Sequence, residues 1–542
     1  MHIFLRKLRN KLFNGWKTNG WKTKINAYEK KLRKKNGNLN HKKLRVIMGP
    51  SFVMWDPSSA LDRSIALALE LRGAEVMPMY CDGIQSVECN FIGGLWGDFK
   101  RDCKNCSKRS ENLWALNSKK IIRLSKYIST IDIDEINYSV GKMSINEVLN
   151  YEECNIKYGA MAKDILVNNY LVGTLTLIDN YDFLLRQHVK NLLLVSRAYE
   201  RILDMEAPDR VVSNDSYYGM WAILEFHCKS KKIPFYSHYP VTNDRAAFAF
   251  NDAAMNLDFK ESWQKFSQLK LNDVDEKNIE DWLGGKRGLT INTAALAGHE
   301  VEDDALQFIN SNTPTLILAA NVIWDLAALN KQIVFNNMNE WILETTEWFR
   351  NNRGYQLIIR PHPAESSPQI PKTRETIESI FSCNHTEIPG NIFLLKSDAK
   401  VTLKELLEKY NIRGLIVHTT TVGFEYPAQG VPVITTAKSP YRGFGFTIDP
   451  SSKEEYFKSL ESLLNGDFKS VSDSNRLLAK KFTKFYQFHY YIKTGLFSGN
   501  PPILAENYLD QLNRGDSAFS HVMDSIINGV AINDSNKWTP ES

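Results

Sequence analysis

GLIVHTTTVGFEYPAQGVPVIT, residues 414–435, carries in one run the pattern of a parallel α/β sheet. Gly414 to His418 is a short apolar stretch suited to a strand buried on both faces. Three threonines make the turn, Gly423 to Gln429 reads as a helix, and Val431 to Thr435 reads as the next strand. The same alternation extends outward. Upstream lie Thr315–Ala320 (strand), Asn339–Asn351 (helix), Gln356–Arg360 (strand) and Leu403–Tyr410 (helix). In the first half, Leu44–Met48 and Glu75–Met79 read as strands around a helix from Ala60 to Leu71. Arg210–Ser213 and Pro234–His238 read likewise around a helix from Tyr217 to Ser230, so the fold class is α/β with parallel sheets.

A chain of 542 residues exceeds what one core usually organises. The expected partition is a basic amphipathic arm (1–43), an N-terminal Rossmann-like domain (44–265), an interdomain connection (266–312), a C-terminal Rossmann-like domain (313–475), C-terminal helices (476–517) and a loosely ordered polar tail (518–542). Residues 110–205 read as mostly helical, an insertion in the N-terminal domain, and Phe482 to Tyr491 as a late helix.

Composition is that of a globular protein, 43% hydrophobic and 24% charged, with no run of 18 apolar residues and no apolar leader after Ile3, Phe4 and Leu5. A cytoplasmic chain is therefore expected. The net charge of +5 conceals an asymmetry. Residues 1–45 hold 15 Lys/Arg and one acid, Glu29, whereas the remainder is net acidic. Ile3, Phe4, Leu8, Leu12 and Trp16 recur near helical spacing, with Trp21 beyond. An arm of this kind fits a helix lying on an anionic membrane, which would make the protein peripheral to the inner face. Nucleic acid is not an expected partner, because no reading module follows the arm.

Four of the seven cysteines, Cys81, Cys89, Cys103 and Cys106, fall within 26 residues, the last two as C-x-x-C. Two thiolates so spaced reach one tetrahedral ion and two more complete a structural zinc site; unligated thiols and redox chemistry are the other readings.

Open parallel sheets take ligands at the carboxyl ends of their strands. Two such loops are rich in functional side chains. One is Ile358–Glu365, where Arg360 can pair with a phosphate or carboxylate and His362 can donate to a phosphoryl oxygen or leaving group. The other is His418–Glu425, where Thr419, Thr420 and Gly423 offer hydroxyls and N–H groups to a phosphate and Glu425 can accept from ribose hydroxyls. Helix capping by the threonines is the competing explanation. In the N-terminal half, Asp215 and His238 stand at strand ends as candidate bases, or Asp215 as a nucleophile. An N-cap role for Asp215 and a structural one for His238 compete with these. The Gly49–Asp56 loop is a candidate acceptor-binding segment.

Asn321–Asp325, the Trp341 helix, Ile358–Glu365, His418–Ile434 and Tyr441–Thr447 together resemble the capsule polysaccharide biosynthesis family. They are similar in outline to its Kdo-type transferases and, more distantly, to glycerol-phosphate polymerases. The resemblance covers roughly residues 315–450 and implies a GT-B glycosyltransferase, two Rossmann-like domains facing a cleft, with no catalytic metal. It implies a CMP- or UDP-linked sugar donor and a polysaccharide or lipid-linked acceptor. Arg360 and His362 match the family's H-P motif, Thr419, Thr420, Gly423 and Glu425 its donor motif, and Tyr441 and Gly443 the following loop. A nucleotide-sugar epimerase, a glycerol-phosphate-type polymerase and a non-catalytic assembly partner are the alternatives.

Overall fold

The computed structural model describes residues 19–35, 44–114, 121–241, 244–284, 303–325, 329–467 and 470–532. Its contacts divide the chain into two compact units, Met1–Leu166 with Asn180–Asn256 and His489–Ser542, and Val167–Asp179 with Leu257–Phe488.

The first unit is built on β1 (Arg45–Met48), β2 (Glu75–Tyr80), β3 (Ile122–Arg123), β4 (Arg210–Asn214), β5 (Phe235–Pro240) and β6 (Arg245–Phe250). The second holds β7 (Thr315–Ala319), β8 (Gln356–Arg360), β9 (Ile392–Leu394), β10 (Ile412–Val417) and β11 (Val433–Thr435). A late strand, β12 (Ile492–Lys493), returns to pair antiparallel with β6. The strand orders are β12-β6-β5-β4-β1-β2-β3 and β11-β10-β7-β8-β9. Beyond the antiparallel β5–β6 and β6–β12 pairs, every neighbouring pair is parallel. Both parallel sheets therefore run outward from a first strand in two directions, the doubly wound Rossmann-like order that the GT-B expectation calls for twice. The switch in direction falls between β1 and β4 in one unit and between β7 and β10 in the other.

The strands form where apolar residues are continuous. Leu357–Ile359 and Leu415–Val417 are fully buried, as the centre of a sheet covered on both faces requires. The helix after β1 spans Asp56–Leu71, a turn earlier than the apolar stripe indicated, because Pro57 suits a first helical turn. The cysteine-bearing segment follows β2, and the helices Thr130–Lys142, Tyr158–Tyr170 and Tyr181–Glu206 fill the connection from β3 to β4.

Three expected boundaries differ. The polar tail contains a helix, Ala518–Asn528, whose Phe519, Val522, Met523 and Ile526 enter the first unit's core. Residues 257–265, expected at the end of the N-terminal domain, and 266–284, expected in the interdomain connection, pack into the second unit. Phe259, Trp263 and Phe266 meet Phe482 and Phe485 in an aromatic cluster, and Trp282 stacks on Phe424. Residues 167–179 also belong to that unit, because Gly173 and Thr174 N–H donate to the Glu375 carboxylate at 2.7 and 2.8 Å.

The arm is corrected in part. Residues 19–35 form a helix on which Trp21, Ile25 and Glu29 are buried one turn apart, against the first unit's core. Trp21 is therefore not a membrane-facing residue. Ile3, Phe4, Leu8, Leu12 and Trp16 lie outside the described residues. Among the described residues no helix is long and apolar enough to cross a membrane.

Candidate functional site

In the second unit the switch lies between the loops that follow β7 and β10. Asn321, just past β7, is buried and its Oδ1 accepts from Thr419 N–H at 3.1 Å, so the two loops are tied across the switch. His418 is buried and stacks on Trp341 with ring centroids 5.8 Å apart. Thr419 Oγ1 is buried with no hydrogen-bond partner among the described residues. A buried hydroxyl of that kind calls for a partner such as a water, an ion or a ligand atom, and the Ser51, Ser213 and Tyr199 hydroxyls share that condition.

The remaining residues of the turn support it from within. Tyr441 is buried and donates to Thr420 O at 2.8 Å. A Cβ on Gly423 would overlap the Tyr441 ring and hydroxyl, so only glycine lets helix and ring meet. Tyr441 and Gly423 shape the turn from within. Glu425 is buried and its Oε1 accepts from Thr421 Oγ1 at 2.7 Å, which holds the carboxylate within the first turn of its helix. Gly443 has φ +83, a conformation that favours glycine, and its N–H donates to Asp449 at 2.7 Å.

Arg360 ends β8 and turns part of its guanidinium to the protein's own carbonyls. It is buried, and it donates to Lys396 O at 2.8 Å and Ala399 O at 3.1 Å, fastening the turn after β9. The sequence showed an arginine at a strand end but not the two carbonyls that occupy it. His362 is half-buried, and its Nδ1 accepts from Ala364 N–H at 3.1 Å. Burial, with the Arg360 charge beside it, depresses the imidazole to about 4. The ring is therefore neutral with its proton on Nε2, a hydrogen-bond donor and not an imidazolium acid. Glu365 is buried, accepts from Ile377 N–H at 3.2 Å and is pushed up to about 8 by burial, so it is protonated at neutral pH. In the strand order β10-β7-β8, the His362 and Thr419 loops are two strand spacings apart, roughly 10 Å.

In the first unit the switch lies between β1 and β4. Ser58 Oγ donates to Asn214 Oδ1 at 3.1 Å across it, and Trp221 Nε1 donates to Pro50 O at 2.7 Å. Asp215 follows β4. The helix after it begins at Gly219, is preceded by Tyr218 and lacks a side-chain cap, so the N-cap role is ruled out. Asp215 Oδ1 instead accepts from Met255 N–H at 3.0 Å. Burial first, then the nearby Glu225 and Asp252 carboxylates, raises its carboxyl to about 7.

His238 is corrected. It lies within β5, which continues to Pro240, and is fully buried with Nε2 2.7 Å from Asp62 Oδ1. A side chain enclosed in this way cannot take a proton from an acceptor sugar. Asp62 was missed, as was the buried pair of Arg63 with Glu29. The polar residues Ser58, Ser59, Asp62, Arg63 and Ser64 in an otherwise apolar helix were the signal available for both. Finally, Cys81, Cys89, Cys103 and Cys106 all border one cavity beside Pro50, Phe52 and Trp221.

No protein-family model matches the chain, and no curated protein matches it. Among solved structures it is similar to KpsC from Thermosulfurimonas dismutans, a beta Kdo 2,7 transferase, at 12% identity and a TM-score of 0.31, over 58% of this chain and 88% of that one. It is also similar to UDP-GlcNAc 2-epimerase from Neisseria meningitidis bound to UDP-GlcNAc, at 11% identity and 0.24, over 81% and 97%. A third likeness is to sucrose-phosphate synthase from Thermosynechococcus elongatus, at 10% identity and 0.28, over 82% and 96%. The fold assignment rests on the two strand orders themselves.

Proposed function

We propose that this chain is a glycosyltransferase that moves a sugar from a CMP- or UDP-linked donor to a surface polysaccharide or lipid-linked acceptor. The nucleotide is seated at the β7/β10 switch of the second unit, and Asp215 of the first unit takes the acceptor hydroxyl proton. The observation that carries the reading is the pair of donors at the carboxyl end of that sheet. Thr419 Oγ1 is buried without a partner among the described residues, and neutral His362 keeps Nε2–H as a donor at the same end of the sheet. Phosphate oxygens only accept hydrogen bonds, so a hydroxyl and an imidazole N–H suit a diphosphate or phosphodiester. Glu425, steadied by Thr421, is the acceptor for a ribose hydroxyl. Among the described residues no D-x-D pair stands at a strand end, so the reaction is proposed to need no divalent metal.

On the acceptor side, a carboxyl near 7 is roughly half ionised at neutral pH. It can accept the hydroxyl proton as the new glycosidic bond forms, which is the task of a general base.

Calorimetric titration of CMP and UDP into the full chain tests the first half of the proposal. One nucleotide should bind, and Thr419→Val with His362→Ala should weaken it at least about tenfold, the loss of one or two hydrogen bonds to a charged group. Asp215→Asn should leave nucleotide affinity within about twofold and lower turnover about 100-fold or more. Binding that ignores the double substitution, or full turnover by Asp215→Asn, refutes the corresponding half.

A further inference from the structure

We propose that Cys81, Cys89, Cys103 and Cys106 bind a thiophilic metal centre, either a zinc ion or an iron–sulfur cluster, that pins the segment after β2 beside the loop after β1. The four side chains come from three places in the chain. Cys81 directly follows β2, Cys89 lies in the loop eight residues on, and Cys103 and Cys106 sit on the helix Phe99–Leu113. Sequence spacing alone suggested a C-x-x-C knuckle. The helix places the pair one turn apart on one face instead. All four border a single cavity. None is in a disulfide, and the remaining cysteines are not among that cavity's lining residues.

Gly83 has φ +93, and a Cβ there would come within 3.7 Å of Cys103 Sγ, so the Cys81 turn and the helix are already adjacent.

Four sulfurs are the ligand set of a structural zinc ion or an iron–sulfur cluster, with no position left open for chemistry. Among the described residues no three ligating groups yet stand at an ion's spacing. Metal–sulfur bonds of about 2.3 Å therefore require the sulfurs to turn into the cavity they share. Phe52 and Met54 line the same cavity, so the centre would set the shape of the β1 loop at the first unit's switch.

The test is elemental analysis of the full chain purified without chelator, once in air and once anaerobically. About one zinc per chain, or iron with acid-labile sulfide and visible charge-transfer absorption, is the expected result and distinguishes the two occupants. Cys103→Ser with Cys106→Ser should reduce the bound metal at least about fivefold, and Cys383→Ser should leave it unchanged. Should the double variant not fold, cobalt substitution of the native chain reads the site directly, through the intense visible bands of tetrahedral sulfur ligation. Native protein without metal in both preparations, metal retained by a folded double variant, or cobalt bound without those bands would each overturn the proposal.

Discussion

Replacing Glu29 by alanine tests whether the helix Asn19–Lys35 is part of the first unit's core. Glu29 is fully buried and pairs with Arg63, itself only 2% exposed, so the substitution leaves an enclosed guanidinium without its carboxylate. Removing one partner of a buried pair costs about 3–5 kcal/mol. Arg63 keeps the face of Trp114, 5.2 Å from the ring centroid, in both forms, so that contact does not change the difference. The expected loss is therefore about 3–5 kcal/mol. A second variant, Glu29→Leu with Arg63→Met, removes both charges and should recover to within about 1 kcal/mol of the native chain, because apolar replacement of a whole pair is nearly neutral. Urea unfolding followed by tryptophan fluorescence reports on this core, since Trp21 and Trp114 are both buried in it. A loss below about 0.5 kcal/mol for the single variant, or no recovery in the double, would show that the helix does not dock by this pair.

Glu365 and Gly423 yield two further expectations. The folded state holds the Glu365 proton up to about pH 8, whereas the unfolded chain releases it near the usual carboxyl value of 4.5. The folded form thus binds more protons in that window, so stability is full below about 4.5 and falls as pH rises to about 8, by at most on the order of 4–5 kcal/mol. Denaturation curves collected across that range should show a shallower decline for Glu365→Gln, and an unchanged slope would remove Glu365 as its cause. Gly423→Ala forces a methyl group into the buried Tyr441 ring and should destabilise the second unit by about 1–3 kcal/mol while weakening nucleotide binding at the Thr419 turn. A native melting temperature for that variant would mean that the ring moves aside freely.

The sequence determined the elements that depend on local pattern. Gln356–Arg360 was legible as a strand to the residue, and the apolar runs before His362 and Thr419 placed both loops at the carboxyl edge of a parallel sheet, because continuous burial and turn residues are properties of neighbours in the chain. The short strands β3 and β12, each of two residues, carry no such pattern and exist only because longer strands beside them supply the pairing. Partner choice was equally out of reach. Arg360 looks like an anion ligand until Lys396 and Ala399 bring their carbonyls to it, and His238 looks like a base until Asp62, 176 positions earlier, closes over it. Trp21 and Phe519 both sit in polar, charged surroundings along the chain yet meet in one core. A side chain's type limits what it can do, but only the contacts made by distant segments decide whether its polar atoms are already satisfied or remain available to a substrate.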